Sequence, residues 1–448
     1  MKDFFKKFRD IWRHEELRNK ILLTLGLILV YRIGSFIILP GVNSEALEQG
    51  SDTSGGLMDL LALFTGGAFT RASIFALGIM PYISASIIMQ LLGIAVPSVM
   101  KMQREGESGR KKINQYTRFL TIAITVVQAP GYLASTVVST PGAVQDPNGF
   151  WWFSAVVILI AATLLIMWLG ERITDKGIGN GISLIIMIGI IASLPQSIAQ
   201  EFIHPESSLY FFLIEIVILL IVIGISVLLT LGIRKVPIHS ARRNFASTSH
   251  LPAGEQARSY IPLRINSAGV MPIIFAQAIM FLPLYMMQTE TFQDSSVLQS
   301  LGDFNGFWYN LLFALMIVVF TYFYTAITVN PNQMADDLKR QGNFIPGIKP
   351  GRPTAEYLDN VISRITLPGS LFLAMIAILP AIVFSLELTK TQGFAIFFGG
   401  TSLLIMVGVV LDTLQQIESH LLSRHMDGLM KSGKLRGRSS APVSGIAG

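Results

Sequence analysis

The sequence predicts an all-α membrane protein of ten transmembrane helices in two inverted five-helix halves. Three observations carry this reading. Of the 448 residues, 51% are hydrophobic and only 14% charged, against about 25% charged in soluble domains. The apolar residues fall in runs of about 17 to 25, the length a helix needs to cross about 30 Å of hydrocarbon. Basic residues gather in alternate connections, as they do where loops stay in the cytoplasm.

In chain order, residues 1–20 mix acids with bases as an amphipathic cytoplasmic segment that runs straight into the first apolar stretch, without a small-residue cleavage site. Spans are expected at Ile21–Leu39, Ala72–Val96, Phe119–Val138, Phe150–Leu169, Ile178–Leu194, Leu209–Ile233, Gly269–Met287, Phe307–Val329, Ile365–Phe384 and Phe394–Leu414. Lys and Arg number seven before the first span, six between spans 2 and 3, and two between spans 4 and 5. A further six lie in Arg234–Asn266, five in Asn330–Arg364 and five after span 10, which puts 31 of 34 on one side and leaves Arg32, Arg71 and Lys390. The opposite connections carry acids such as Glu45, Glu48, Asp146, Glu201, Glu206, Glu290 and Asp303. Both termini therefore face the cytoplasm and the span count is even. Residues 21–200 and 201–414 then form halves of opposite orientation, as where a pathway runs between inverted repeats, and 415–448 is a cytoplasmic tail.

Between spans 1 and 2, Gly55–Arg71 holds a short apolar piece, Leu57–Phe64, bracketed by Gly pairs. Eight helical residues rise only about 12 Å, too little to cross. Irregular backbone at membrane depth needs shelter from protein or a water-filled cavity. The piece reads as a re-entrant segment lining a cavity, or as an amphipathic helix on the outer surface. Ile79 and Ile83 in span 2, and Ile182 and Ile186 in span 5, are i,i+4 pairs that each share a helical face. Spacing alone leaves packing, lipid contact and a pore open. Arg32 in span 1 and Glu215 in span 6 are intramembrane charges, read as structural. Gln90, Gln128 and Gln277 need hydrogen-bond partners in hydrocarbon, either as interhelical glue or as a polar seam that opens.

The cytoplasmic connections Arg234–Asn266 and Asn330–Arg364 are longer than topology requires. Arg234, Lys235, Arg242 and Arg243 form a patch suited to phosphates or an acidic partner, or to fixing topology against anionic lipid. Catalytic signals are poor. Gly106-Glu107-Ser108-Gly109 matches a short serine-protease pattern, yet lies in a charged loop, and no histidine lies within a span to serve as base. Gly177–Gly181 does not meet the dinucleotide-binding spacing and follows no strand. With no cysteine, disulfides and thiolate metal sites are excluded. No cofactor is expected.

Several blocks resemble the SecY family, the channel subunits of the bacterial Sec protein translocase. They are FALGIMPYISASIIMQLL (Phe75–Leu92), EGESGRKKINQYTR (Glu105–Arg118), MWLGERITDKGIGNGIS (Met167–Ser183), NSAGVMP (Asn266–Pro272), FIPGIKPGR (Phe344–Arg352) and GGTSLLI (Gly399–Ile405). They keep the family's order and spacing. The resemblance implies a channel in the plasma membrane that passes unfolded secretory preproteins and releases membrane segments sideways. It implies an apolar pore ring of Ile79, Ile83, Ile182, Ile186, Ile274 and Ile405. A plug helix would include Leu57, Met58, Leu60, Leu61, Leu63 and Phe64. A lateral gate of spans 2 and 3 against 7 and 8 would carry Gln90, Gln128 and Gln277. The same resemblance makes Arg234, Lys235, Arg242, Arg243, Lys349 and Arg352 a docking surface for the SecA ATPase or the ribosome, with SecE and SecG as subunits and signal peptides, preproteins and lipids as further partners. The family usually has Arg where Lys349 stands, and Lys cannot make a planar bidentate contact. The alternative class, a secondary transporter for a small solute, needs ionisable coupling groups near the midplane, and this chain offers essentially Arg32 there.

Overall fold

Where no water reaches the backbone, a chain satisfies its amides by coiling into helices, and ten long helices follow one another here: α1 (Glu15–Gly34), α2 (Met80–Ala95), α3 (Glu107–Tyr132), α4 (Gly149–Lys176), α5 (Gly181–Ile203), α6 (Leu209–Leu231), α7 (Met271–Met287), α8 (Phe307–Thr328), α9 (Arg352–Ser385) and α10 (Gly400–Lys431). This computed structural model describes residues 12, 14–51, 62–144, 146–203, 209–240, 259–287, 300–302, 305–386 and 388–431. Each helix coincides with an expected span. Among the described residues seven, α3 to α6 and α8 to α10, are long and apolar enough to cross a membrane as single helices.

Span 2 differs most from expectation. Ala72–Gly78 is not helical but a run of buried turns, with Ala72 at φ 45° and Gly78 at φ 54°. The helix starts only at Met80, with Pro81 in its first turn, where a proline's missing N–H is harmless. Sixteen residues then rise about 24 Å. The irregular stretch spans the remaining depth, walled by protein. Beyond α2 the chain bends by 101° into Pro97–Gln103. Several expected boundaries also move outward. The helix of span 3 starts at Glu107, that of span 9 at Arg352, and that of span 10 runs to Lys431, because charged residues can extend a helix into water where hydropathy no longer marks it. Span 3 ends in a π-helical turn, Leu133–Val138, just after Pro130, which removes an amide from the ladder.

Helix packing repeats itself. In the first half α2 packs on α3, α3 on α4 and α4 on α5; in the second, α7 packs on α8, α8 on α9 and α9 on α10. Across the middle, α5 meets α10, α2 meets α7 and α5 touches α6. Side chains such as Val127, Phe153, Phe211 and Leu228 stay exposed on the outside, the surface that lipid covers.

The two long connections hold strands that the sequence reading did not foresee. β1 (Ile233–Ser240) pairs antiparallel with β2 (Ser259–Arg264), and β3 (Asn343–Phe344) from the second connection joins β1 through His239 and Ser240. Val236, Leu263, Leu338, Ile345, Leu358 and Ile362 form a small core beneath them. The two connections are thus one folded unit. Pro237 and Pro262 sit inside the strands and mask the strand signal.

Close approach of α4 and α5 rests on glycine. A Cβ at Gly181 would lie 2.0 Å from the Gly170 carbonyl oxygen, whereas one at Gly224 of α6 would meet nothing within 4 Å. Gly181→Ala is expected to cost about 1–3 kcal/mol through overpacking and to lower the thermal unfolding temperature in detergent by several degrees. Gly224→Ala serves as the comparison and should unfold with the wild type. Equal melting of all three proteins would contradict this packing.

Candidate functional site

Two helices from each half present isoleucine toward one point. Ile79 caps α2, and the Ile83 amide bonds its carbonyl at 3.1 Å, so both side chains lie on the same helical face. Ile186 projects from α5, Ile274 from α7 and Ile405 from α10. These five line a single cavity with Phe64, Thr65, Met80, Gln277, Ala278 and Thr401. Its volume is about 20 Å³, room for one water at most. Ile405 is only 1% exposed. Where these side chains converge they are packed closed.

The sixth predicted ring member stands apart. Ile182 lies in the first turn of α5, one turn before Ile186, and packs against α4, where a Cβ on Gly170 would lie 3.2 Å from its Cγ1. Phe64 is one wall of the cavity and the neighbouring Leu63 is buried, while Leu57, Met58, Leu60 and Leu61 lie outside the described residues. Met80, Ala278 and Thr401 were missed by the sequence reading. Each sits three or four residues from a ring isoleucine, so extending the i,i+3 and i,i+4 rule from those positions would have found them.

Two of the polar groups in the lining, Thr65 and Gln277, are engaged with protein. Thr65 Oγ1 donates to the Ala62 carbonyl at 3.1 Å and accepts from the Phe69 amide at 3.1 Å. Gln277 Nε2 donates to the Tyr309 hydroxyl at 3.5 Å. The five isoleucines offer an ion no ligand in exchange for its hydration.

The glutamines do not meet one another. Gln277 joins α7 to α8, Gln90 donates to Ser86 Oγ at 3.3 Å within α2, and Gln128 is half-buried on α3. Neither bond crosses from α2 and α3 to α7 and α8. Arg32 occupies the last turn of α1, where its Nη1 donates to the Gly66 carbonyl at 3.1 Å. Glu215 is buried on α6, with Oε2 unbonded among the described residues. On the folded unit of the two connections, Arg234 and Lys235 are exposed on β1, with Lys235 Nζ 4.9 Å above the Tyr260 ring. Lys349 and Arg352 are exposed on the neighbouring connection, Arg352 bonding Glu356 at 3.2 Å. Arg242 and Arg243 lie outside the described residues.

Against known proteins, the SecY family model matches residues 73–414. The protein translocase subunit SecY of Thermus thermophilus is 41% identical over 448 residues, covering 97% of this chain and 99% of that protein. A solved protein-conducting channel superposes with a TM-score of 0.61 at 16% identity, covering 89% of this chain and 91% of that one. Sec61 in a canine ribosome–channel complex from the endoplasmic reticulum superposes at 0.60, also at 16% identity, covering 89% of this chain and 91% of that one. At such identities the superpositions carry the fold alone.

The dryness of the neck is measurable, because the native chain has no cysteine. A water-soluble thiol reagent should label Ile405→Cys at least about tenfold more slowly than the exposed Ser108→Cys, since thiol reactivity requires access. Adding Phe64→Ala takes away one wall and should speed labelling of Cys at 405. Equal rates at 405 and 108 in the otherwise native chain would mean that the neck is wet.

Proposed function

Because this chain belongs to the SecY family, we propose that it is the protein-conducting channel of a translocase, closed in this conformation by an isoleucine neck and a re-entrant plug. The observation that carries the reading is the cavity where Ile79, Ile83, Ile186, Ile274 and Ile405 converge from both halves. Branched apolar side chains exclude ions by dewetting, yet they can part around an extended polypeptide and close on it. Ile182 would join the ring when the neck widens. The piece ending at Leu63 and Phe64 seals it from the outer side. An apolar segment of the passenger gains by leaving into lipid, and the seam where α2 meets α7 is the exit. Gln90, Gln128 and Gln277 tune the helices that border it.

The channel works without chemistry of its own and depends on partners for driving force. Sec61 was solved with a ribosome, and the sheet that unites both basic connections supports ribosome or SecA docking at Arg234, Lys235, Arg242, Arg243, Lys349 and Arg352. SecE and SecG complete the complex, in the bacterial plasma membrane, with both termini in the cytoplasm. The two halves, 21–200 and 201–414, move as the units that open the neck. A solute transporter would need ionisable groups at the midplane, and the neck is lined by isoleucine instead.

The direct test is crosslinking to a stalled preprotein. Single cysteines at Ile79, Ile83, Ile186, Ile274 and Ile405 should each crosslink to it, while Leu220→Cys, on a lipid-facing position 62% exposed, should not. Crosslinks at 220 and none at 79 or 405 would place the path elsewhere. For docking, charge reversal at Arg234 and Lys235 together should weaken binding of ribosomes or of the ATPase and flatten its salt dependence. An unaltered salt slope would leave these residues with topology alone.

A further inference from the structure

The segment just after the plug is held as a rigid collar, and the hold comes from spans of the first half. Gly66 and Gly67 turn with φ of 64° and 81°, a conformation that favours glycine. Arg32 Nη1 from α1 donates to the Gly66 carbonyl at 3.1 Å, and Arg71 Nη2 approaches the same oxygen at 3.5 Å. Both guanidinium groups also lie over one ring, Phe36, at 5.0 and 4.8 Å from its centre. On the other side the collar touches α5 backbone to backbone, since a Cβ on Gly189 would lie 2.4 Å from the Phe64 carbonyl oxygen. Tyr132 of α3 donates to the Phe69 carbonyl at 2.7 Å. Ala68, Ala72 and Ser73 are completely buried.

A carbonyl at membrane depth that loses its donor is left unsatisfied with no water to replace it. Two like charges on one ring do not attract each other, so their common acceptor and the aromatic face hold them there. The pair thus acts as a clasp on one peptide unit, Gly66, two residues beyond the side chain that enters the neck.

Resting on the plug reading above, we propose that Arg32 is a positioning residue of the seal. Through the Gly66 carbonyl, with Arg71 and Phe36 completing the clasp, it fixes the base from which the plug closes, and so sets how completely Phe64 refills the neck after each passage.

The test uses the full chain reconstituted with its partner subunits in planar bilayers, reading resting ion conductance alongside preprotein transport. Arg32→Leu should raise resting conductance about tenfold, as expected for loss of one charge-assisted hydrogen bond on the closed state, with transport retained. Arg32→Lys keeps one donor and should recover most of the seal, a rescue that a general packing defect would not show. Gly189→Ala pushes the Phe64 carbonyl from the other side and should leak as well. Phe36→Leu changes a side chain 55% exposed, so it probes the clasp even if Arg32→Leu fails to assemble, and it too should leak. Deletion of Leu57–Phe64 provides the reference. If the deletion leaks but Phe36→Leu and Gly189→Ala stay tight, the clasp is overturned and the plug reading survives. A tight deletion overturns the plug reading, and the clasp with it.

Discussion

A peptide group placed in hydrocarbon has no water to bond, and leaving it unpaired costs several kcal/mol. That constraint explains the helices, and it explains more sharply where the helices stop. Residues 66–78 run as turns at membrane depth, and their carbonyls are met from elsewhere: Gly66 by Arg32, Phe69 by Tyr132, Ala72 by the Leu39 amide at 2.9 Å. Buried hydroxyls obey the same rule. Thr117, Thr121 and Thr125 on α3 each donate to the carbonyl four residues back at 2.7–2.9 Å, and Thr321 and Thr325 on α8 do likewise. A polar side chain satisfied by its own helix leaves a face that its neighbours can treat as apolar.

With polar groups turned inward on their own elements, the two halves can meet over an apolar neck, and they are tied mainly around α5. At its N-terminal end the Gly179 amide donates to Gln416 Oε1 of α10 at 2.9 Å, while the Ile178 amide donates to Thr24 Oγ1 of α1 at 3.1 Å. At its C-terminal end Glu201 accepts from the Lys390 and Thr391 amides at 2.7 and 2.8 Å, and from the Thr391 hydroxyl. The bonds to Gln416, Lys390 and Thr391 join α5 to the second half on the α10 side, while the one to Thr24 ties it to α1. The opposite side, where α2 meets α7, is a shorter contact. An assembly fastened along one edge and lightly closed along the other is suited to opening on the light edge. The Gly177–Gly181 run thereby receives a structural explanation, as a joint that binds α1 and α10 through its own amides.

Much of this was legible in the sequence because hydropathy and charge report membrane crossing directly. A long helix overlaps each of the ten expected apolar runs, seven of them long and apolar enough among the described residues to cross as single helices, and the isoleucine pairs of α2 and α5 follow from helical spacing. Convergence was not legible. Nothing in the spacing of Ile186 and Ile405 says that two helices from different halves face each other, and only the family resemblance assembled that set. Ile182 shows the limit of the inference: it shares a face with Ile186, yet it ends against Gly170 because α5 begins beside α4. The start of α2 was hidden because apolar composition looks the same in a buried turn as in a helix. The strands of the long connections were hidden by internal prolines and by pairing between segments more than a hundred residues apart, such as His239 with Phe344. The three amides were readable as polar but not as to their partners.

The account stands on the neck being closed by dryness rather than by bulk. Ile186 offers the cleanest separation, since Val and Thr fill nearly the same volume and differ by a hydroxyl. Resting ion conductance of the reconstituted complex should stay near the native level for Ile186→Val and rise for Ile186→Thr. Equal leak from both variants would mean that the seal is steric, and the dewetting account would be wrong.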